Sequence, residues 1–312
     1  MEQTERKELR RNFSRLGWTL ILSQVFFLAA VWSLQEVQFW AIRLLHPELN
    51  MQEILQRLYD SGLTLIAGCL LAILPFWLLR LPQPRALFLQ EHRTVSLQTM
   101  ALLFLLMMGL QMTASVITVP FELFANAMGG SFYEAAESAS AASVTPSMLF
   151  YSVLFAPFSE EIIYRGFVMQ YLRPQGKSFA IIFAAILFGL MHGNVIQLPM
   201  AVLCGCLLGY VAMEYSLPAA MVLHSLVNLY VEATGWISSA DEVLGGMISS
   251  AVTAFGLIAL LLVLSGSSKK IRAYLMAHQA KKGSMRCLLT SAPMLLVIAY
   301  LIFATLSSIT PL

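Results

Sequence analysis

The chain is short of charge. Only 12% of its 312 residues are charged and 58% are hydrophobic, whereas soluble domains run at about a quarter charged. A soluble globular protein is excluded. The net charge of +2 is too small to suggest a nucleic-acid partner. Cysteine is scarce too: Cys69, Cys204, Cys206 and Cys287 lie in or beside apolar runs. No CxxC pair occurs, so zinc-ribbon and dithiol spacings are missing, and the four read as small buried hydrophobes. HExxH does not occur. The strict alternation that marks a membrane β-barrel is missing, as is any repeat of the kind seen in inverted-repeat transporters. The N-terminal arm is long and partly acidic, and the apolar run behind it is longer than a signal-peptide core. That run is therefore read as a retained helix.

What the chain has instead is apolar runs of membrane-spanning length, at about 18–34, 63–79, 98–119, 148–171, 178–192, 195–213, 217–233, 243–264 and 288–306. They predict an all-α fold, a polytopic transmembrane helix bundle of about 8–9 membrane helices. An amphipathic surface segment is expected over 35–60, where Phe39, Trp40, Ile42, Leu44 and Leu45 alternate with charges. Pro75 is read as a kink, Pro120 as the end of the third run, Ser147 as the cap of the fourth and Gly193-Asn194 as a tight turn. With the N-terminus inside, all lysines and arginines except Arg43, Arg57 and Arg165 fall in inner loops or the N-terminal arm. These include the basic loop 80–94, with Arg80, Arg85 and Arg93, and the stretch 265–286. This bias orients the N-terminus toward the cytoplasm. The loop 121–146 holds three glutamates and no lysine or arginine. The chain divides into peripheral helices, 1–145, and a core, 146–306.

Into one apolar run the chain inserts Phe158-Ser159-Glu160-Glu161-Ile162-Ile163-Tyr164-Arg165. Ionisable groups at membrane depth are costly and mark functional sites. Glu161 and Arg165 are spaced i, i+4 in the favourable order for an ion pair. Glu160 lies about 100° further round and has no local partner. An unpaired carboxylate in a low-dielectric site is suited to proton transfer. Pro157, one turn earlier, removes a backbone donor and can bend the helix beside the site. Two further runs carry polar faces at i, i+4: Phe188 with His192, and His224 with Asn228. Helix bundles build sites from such facing side chains. No serine or cysteine stands out as a nucleophile. Gly205-xxx-Gly209 is a small-residue packing face.

Glu160-Glu161-xxx-Arg165, Phe188-xxx-His192 and His224-xxx-Asn228, in this order, resemble the three motifs of the CPBP family. That family joins the type-II, Ras-converting-enzyme-like CAAX prenyl proteases to bacteriocin-processing and Abi-type self-immunity proteins. The resemblance covers about 148–232. It implies an intramembrane endopeptidase acting on a lipidated CaaX-like peptide or a membrane-protein precursor. Glu160 would be the general base, His192 would share the water, and His224 and Asn228 would receive the oxyanion. Glu161, Arg165 and Phe188 would support the site. No cofactor is expected. The alternative is zinc held by Glu160, His192 and His224, whose side chains have the right chemistry for a three-ligand site. Asn228 is a poor zinc ligand, and the glutamate mechanism uses all four residues. A transporter and a non-proteolytic immunity or scaffold protein are the competing readings. The expected setting is a bacterial plasma membrane, with the bilayer and a peptide or membrane-protein substrate as partners and no nucleic acid.

Overall fold

A computed structural model describes residues 3–79, 81, 93–133 and 142–311. Arg80, Arg85, Glu134 and Glu137, invoked above for the basic and acidic loops, lie outside them. The described chain is helical apart from one short pair of strands. In order, the helices are α1 (Gln3–Leu45), α2 (Met51–Tyr59), α3 (Leu63–Leu78) and α4 (Leu97–Ala127). Then come a continuous helical run over 146–172, here α5, and α6 (Lys177–Met191), α7 (Gln197–Glu214) and α8 (Leu217–Ala240). The last three are α9 (Glu242–Ala277), α10 (Ser284–Leu289) and α11 (Ala292–Leu306). Strands β1 (Gly130–Ser131) and β2 (Thr310–Pro311) pair antiparallel and tie the C-terminal tail to the end of α4.

Among the described residues, four helices are long and apolar enough to cross a membrane: α1, α4, α7 and α9. The pair α2 and α3, bent by 47°, makes a fifth if taken as one span. Helices α6 and α11 are apolar but shorter. The protein is thus an all-α membrane bundle. Several elements differ from their sequence-based bounds. The polar arm, the first apolar run and part of the expected surface segment form one helix of 43 residues. No proline or glycine interrupts 18–45, so charge alone does not stop the helix. At 1.5 Å per residue it is roughly 65 Å long, about twice the ~30 Å hydrocarbon core. Its ends therefore project beyond the apolar layer. Helix α4 continues through Pro120 to Ala127, since one lost backbone bond is tolerated in a membrane helix. Helix α9 likewise carries Lys269, Lys270 and Arg272 on a continued helix. The cap of α5 is Thr145, not Ser147: the Met148 N–H donates to Thr145 Oγ1 at 3.2 Å, ahead of Pro146 in the first turn. The Ser147 hydroxyl instead accepts from the Gly62 N–H.

The main apolar cluster is drawn from α1, α3, α4, α5, α6, α7, α8, α10 and α11. Helix α1 lies along α3 and against α11, and α4 lies along α9 and α7. Phe76 of α3 stacks on Phe167 of α5, with ring centroids 4.9 Å apart. Glycine permits close helix contacts at several positions, among them Gly109 and Gly205. A Cβ at Gly109 of α4 would meet the Gly256 carbonyl oxygen of α9 at 2.3 Å. On α7, a Cβ at Gly205 would sit 3.1 Å from Arg165 Nη2 and 3.2 Å from Phe188. The small face of α7 thus brings α6 and α5 close enough to assemble the site.

Candidate active site

Helix α5 is not a regular helix. Tyr151–Phe155 and Ile162–Val168 are π-helical turns, a widening that recurs at functional sites. Between them lies the α-helical segment Ala156–Glu161 with both glutamates. The first π turn follows from the sequence around Pro157. The Ala156 N–H bonds to the Tyr151 carbonyl, five residues back, and Pro157 has no N–H to continue the ladder.

The ion pair expected from spacing is formed. Arg165 Nη1 donates to Glu161 Oε1 at 2.9 Å, with the two side chains 1% and 0% exposed. Arg165 Nη2 donates to the Gly205 carbonyl at 3.1 Å. Its guanidinium lies 4.3 Å from the centre of the Phe188 ring, a cation–π contact. Phe188 is therefore a floor for the charge. It also meets Tyr164, His192 and His224 edge-on.

His224 joins the two glutamates. Its Nδ1 is 3.0 Å from Glu161 Oε1, and its Nε2 is 3.8 Å from Glu160 Oε2. A carboxylate only accepts, so Nδ1 carries the proton toward Glu161 and Nε2 turns toward Glu160. Glu160 and Glu161 do leave the helix in different directions, yet they approach opposite edges of one imidazole. The partner that Glu160 lacks on its own helix is supplied by α8. The distance of 3.8 Å is too long for a hydrogen bond.

His192 caps α6. Its Nδ1 lies 2.9 Å from the Phe188 carbonyl, so Nδ1 donates and Nε2 keeps its lone pair. It packs on the Phe188 ring at 4.8 Å. Asn194, just beyond, accepts from the Ile196 and Gln197 N–H groups and starts α7, across a turn with Gly193 at φ 62°. Asn228 donates its Nδ2 to the Ser152 carbonyl at 2.8 Å. On the far side, Cys69 of α3 lies near Ser159 and Tyr151.

The alternative zinc set is not gathered. Among the described residues no three His, Cys, Asp or Glu side chains form a group able to hold a metal ion. Glu160 and His224 face each other, but His192 stays on the Phe188 ring. The residues do not fit a three-ligand site.

Residues 142–230 match the family model described as Type II CAAX prenyl endopeptidase Rce1-like. Over that stretch the chain is similar to the CAAX protease family. The matched stretch holds Glu160, Glu161, Arg165, Phe188, His192, His224 and Asn228. The CAAX family points to a protease, a hydrolase. No curated protein and no solved structure matches the chain.

Sequence reasoning passed over Ser143, Ser152 and Glu232. Glu232 is buried and accepts from both serines. A signal was available: His224, Asn228 and Glu232 continue one i, i+4, i+8 stripe along α8.

Proposed function

We propose that the chain is an intramembrane endopeptidase that hydrolyses a peptide bond with a glutamate-activated water. The observation that carries this reading is His224 held between two carboxylates, within the stretch that matches the CAAX endopeptidase family.

Glu160 is the general base, since its carboxylate is the one not engaged by a cation on its own helix. His192, with Nδ1 committed to Phe188, offers Nε2 as an acceptor for the same water. His224, with Nδ1 committed to Glu161, is a donor at Nε2 only when it is protonated there. In that form it directs Nε2–H to the oxyanion. Glu161 fixes the ring and its tautomer, and Arg165 fixes Glu161. Asn228 supplies the second donor to the oxyanion. In a water-poor site one such donor is worth about 3–4 kcal/mol of barrier.

The substrate is a membrane-associated or lipidated, CaaX-like peptide, or a membrane-protein precursor. An apolar cavity of about 510 Å³ lined by Phe121, Phe124, Phe132, Leu190, Val195 and Ile302 shares the α6–α7 turn with His192. Its lining suits a hydrocarbon chain. The setting is a bacterial plasma membrane with the N-terminus in the cytoplasm, as the basic N-terminal arm and the basic stretch 265–286 favour.

The test is peptide cleavage by purified Glu160→Gln protein. Cleavage is expected to fall below detection while the protein still inserts and folds. Full activity in that variant overturns the mechanism.

A further inference from the structure

Glu232 lies one turn beyond Asn228, on the same face of α8 as Asn228 and His224. It is 6% exposed and outside the family match. Among the described residues, the groups bonded to its carboxylate are all donors. Oε2 accepts from the Ser143 N–H at 2.8 Å, and Oε1 accepts from the Ser143 hydroxyl at 2.6 Å and from the Ser152 hydroxyl. One turn further, Trp236 donates Nε1–H to the Ser143 carbonyl at 3.0 Å. A buried carboxylate is tolerated only with such compensation. A glutamine there would turn an NH₂ group toward a donor.

Ser152 is the joint of the arrangement. Its backbone carbonyl has no donor within its own helix, because the Ala156 N–H is spent on Tyr151 and position 157 is proline. Asn228 Nδ2 takes that carbonyl. A primary amide is planar and has two N–H bonds. Once one points at the Ser152 carbonyl, the direction of the other is set.

We propose that Glu232 is a positioning residue: it holds Ser152 by the hydroxyl, and the Ser152 carbonyl aims the second N–H of Asn228 at the oxyanion. The inference rests on the proteolytic reading above. It adds to that reading the element that orients one of its two oxyanion donors. Ground-state binding does not use this N–H, so loss of Glu232 lowers kcat and leaves KM unchanged.

The experiment compares cleavage kinetics and thermal unfolding of the full chain across Glu232→Gln, Ser152→Ala, Ser152→Thr, Asn228→Ala and the double variant Glu232→Gln/Asn228→Ala. Glu160→Gln serves as the control. Asn228→Ala is expected to lower kcat by ~10²–10³-fold, as for other oxyanion donors. Glu232→Gln and Ser152→Ala are expected to lower kcat roughly tenfold at constant KM. Ser152→Thr, which keeps the hydroxyl, restores the rate. In the Asn228→Ala background, Glu232→Gln changes kcat by less than about twofold, because no amide is left to aim.

A full tenfold loss in that background, or an unchanged kcat in Glu232→Gln, overturns the proposal while Glu160→Gln remains inactive. If Glu232→Gln does not fold, the contrast between Ser152→Ala and Ser152→Thr decides. If wild-type protein cleaves nothing, the proteolytic reading fails, and the melting temperatures decide about the network. Non-additive losses for Glu232→Gln and Asn228→Ala support it, and additive losses overturn it.

Discussion

Replacing Glu161 by alanine strips the Arg165 guanidinium of its counter-charge. The structure makes the consequence severe, because Arg165 is 1% exposed and Glu161 is fully buried. Its remaining contacts are the Gly205 carbonyl and the face of Phe188, neither of which carries a full negative charge. Breaking a buried pair by removing one partner costs about 3–5 kcal/mol. His224 loses its Nδ1 acceptor in the same change, which adds about 1–3 kcal/mol for an unsatisfied buried donor. At ~2–4 °C per kcal/mol the melting temperature is expected to fall by roughly 10 °C or more. The assay is thermal unfolding in detergent, with yield in the membrane fraction read alongside. Glu161→Ala/Arg165→Ala removes both charges and is expected to recover part of the loss. Glu161→Gln keeps an acceptor for both partners and falls between wild type and alanine. A Glu161→Ala protein as thermostable as wild type would refute the ion-pair argument. A double variant no better than the single would show that the cost is lost packing rather than a bare charge.

Activity is expected to survive dialysis against phenanthroline and EDTA with metal content determined in parallel, because among the described residues Glu160, His192 and His224 are not gathered into a group able to hold a metal ion; loss that returns on adding zinc overturns this. Gly256→Val is expected to separate α9 from α4 and to cost about 1–3 kcal/mol of thermal stability, since a Cβ there meets the Gly109 nitrogen and the Leu105 carbonyl at 2.6 Å. Gly246→Val, with nothing within 4 Å on the same helix, is the control, and equal stability in the two variants would count against a backbone-to-backbone crossing.

Helix class, membrane setting and the stripes Glu161/Arg165 and His224/Asn228 were legible from periodicity, because a repeat of 3.6 residues assigns each side chain to a face of its own helix. Composition likewise excluded a soluble protein. Helix ends were less legible. Charge was read as a stop at 35 and at 265, yet α1 and α9 run on, because charged residues sit readily on a helix that has left the bilayer. Pro120 was read as an end, yet one missing N–H does not break α4.

The relations between helices were not legible at all. In a chain this apolar, one face packs much like another, so local pattern does not say that α8 brings His224 between Glu160 and Glu161. Nor does it say that the glycine face of α7 receives Arg165. Glu160, partnerless on its own helix, meets His224 only through tertiary packing. The π turns of α5 belong to the same class: Pro157 is visible in the sequence, but the carbonyl it leaves free at Ser152 finds its donor 76 residues away, on α8. The sequence by itself determined which side chains share a helix face and that they lie in a membrane. The tertiary structure decided which faces meet, because that depends on close backbone approach and on the satisfaction of buried polar groups across helices.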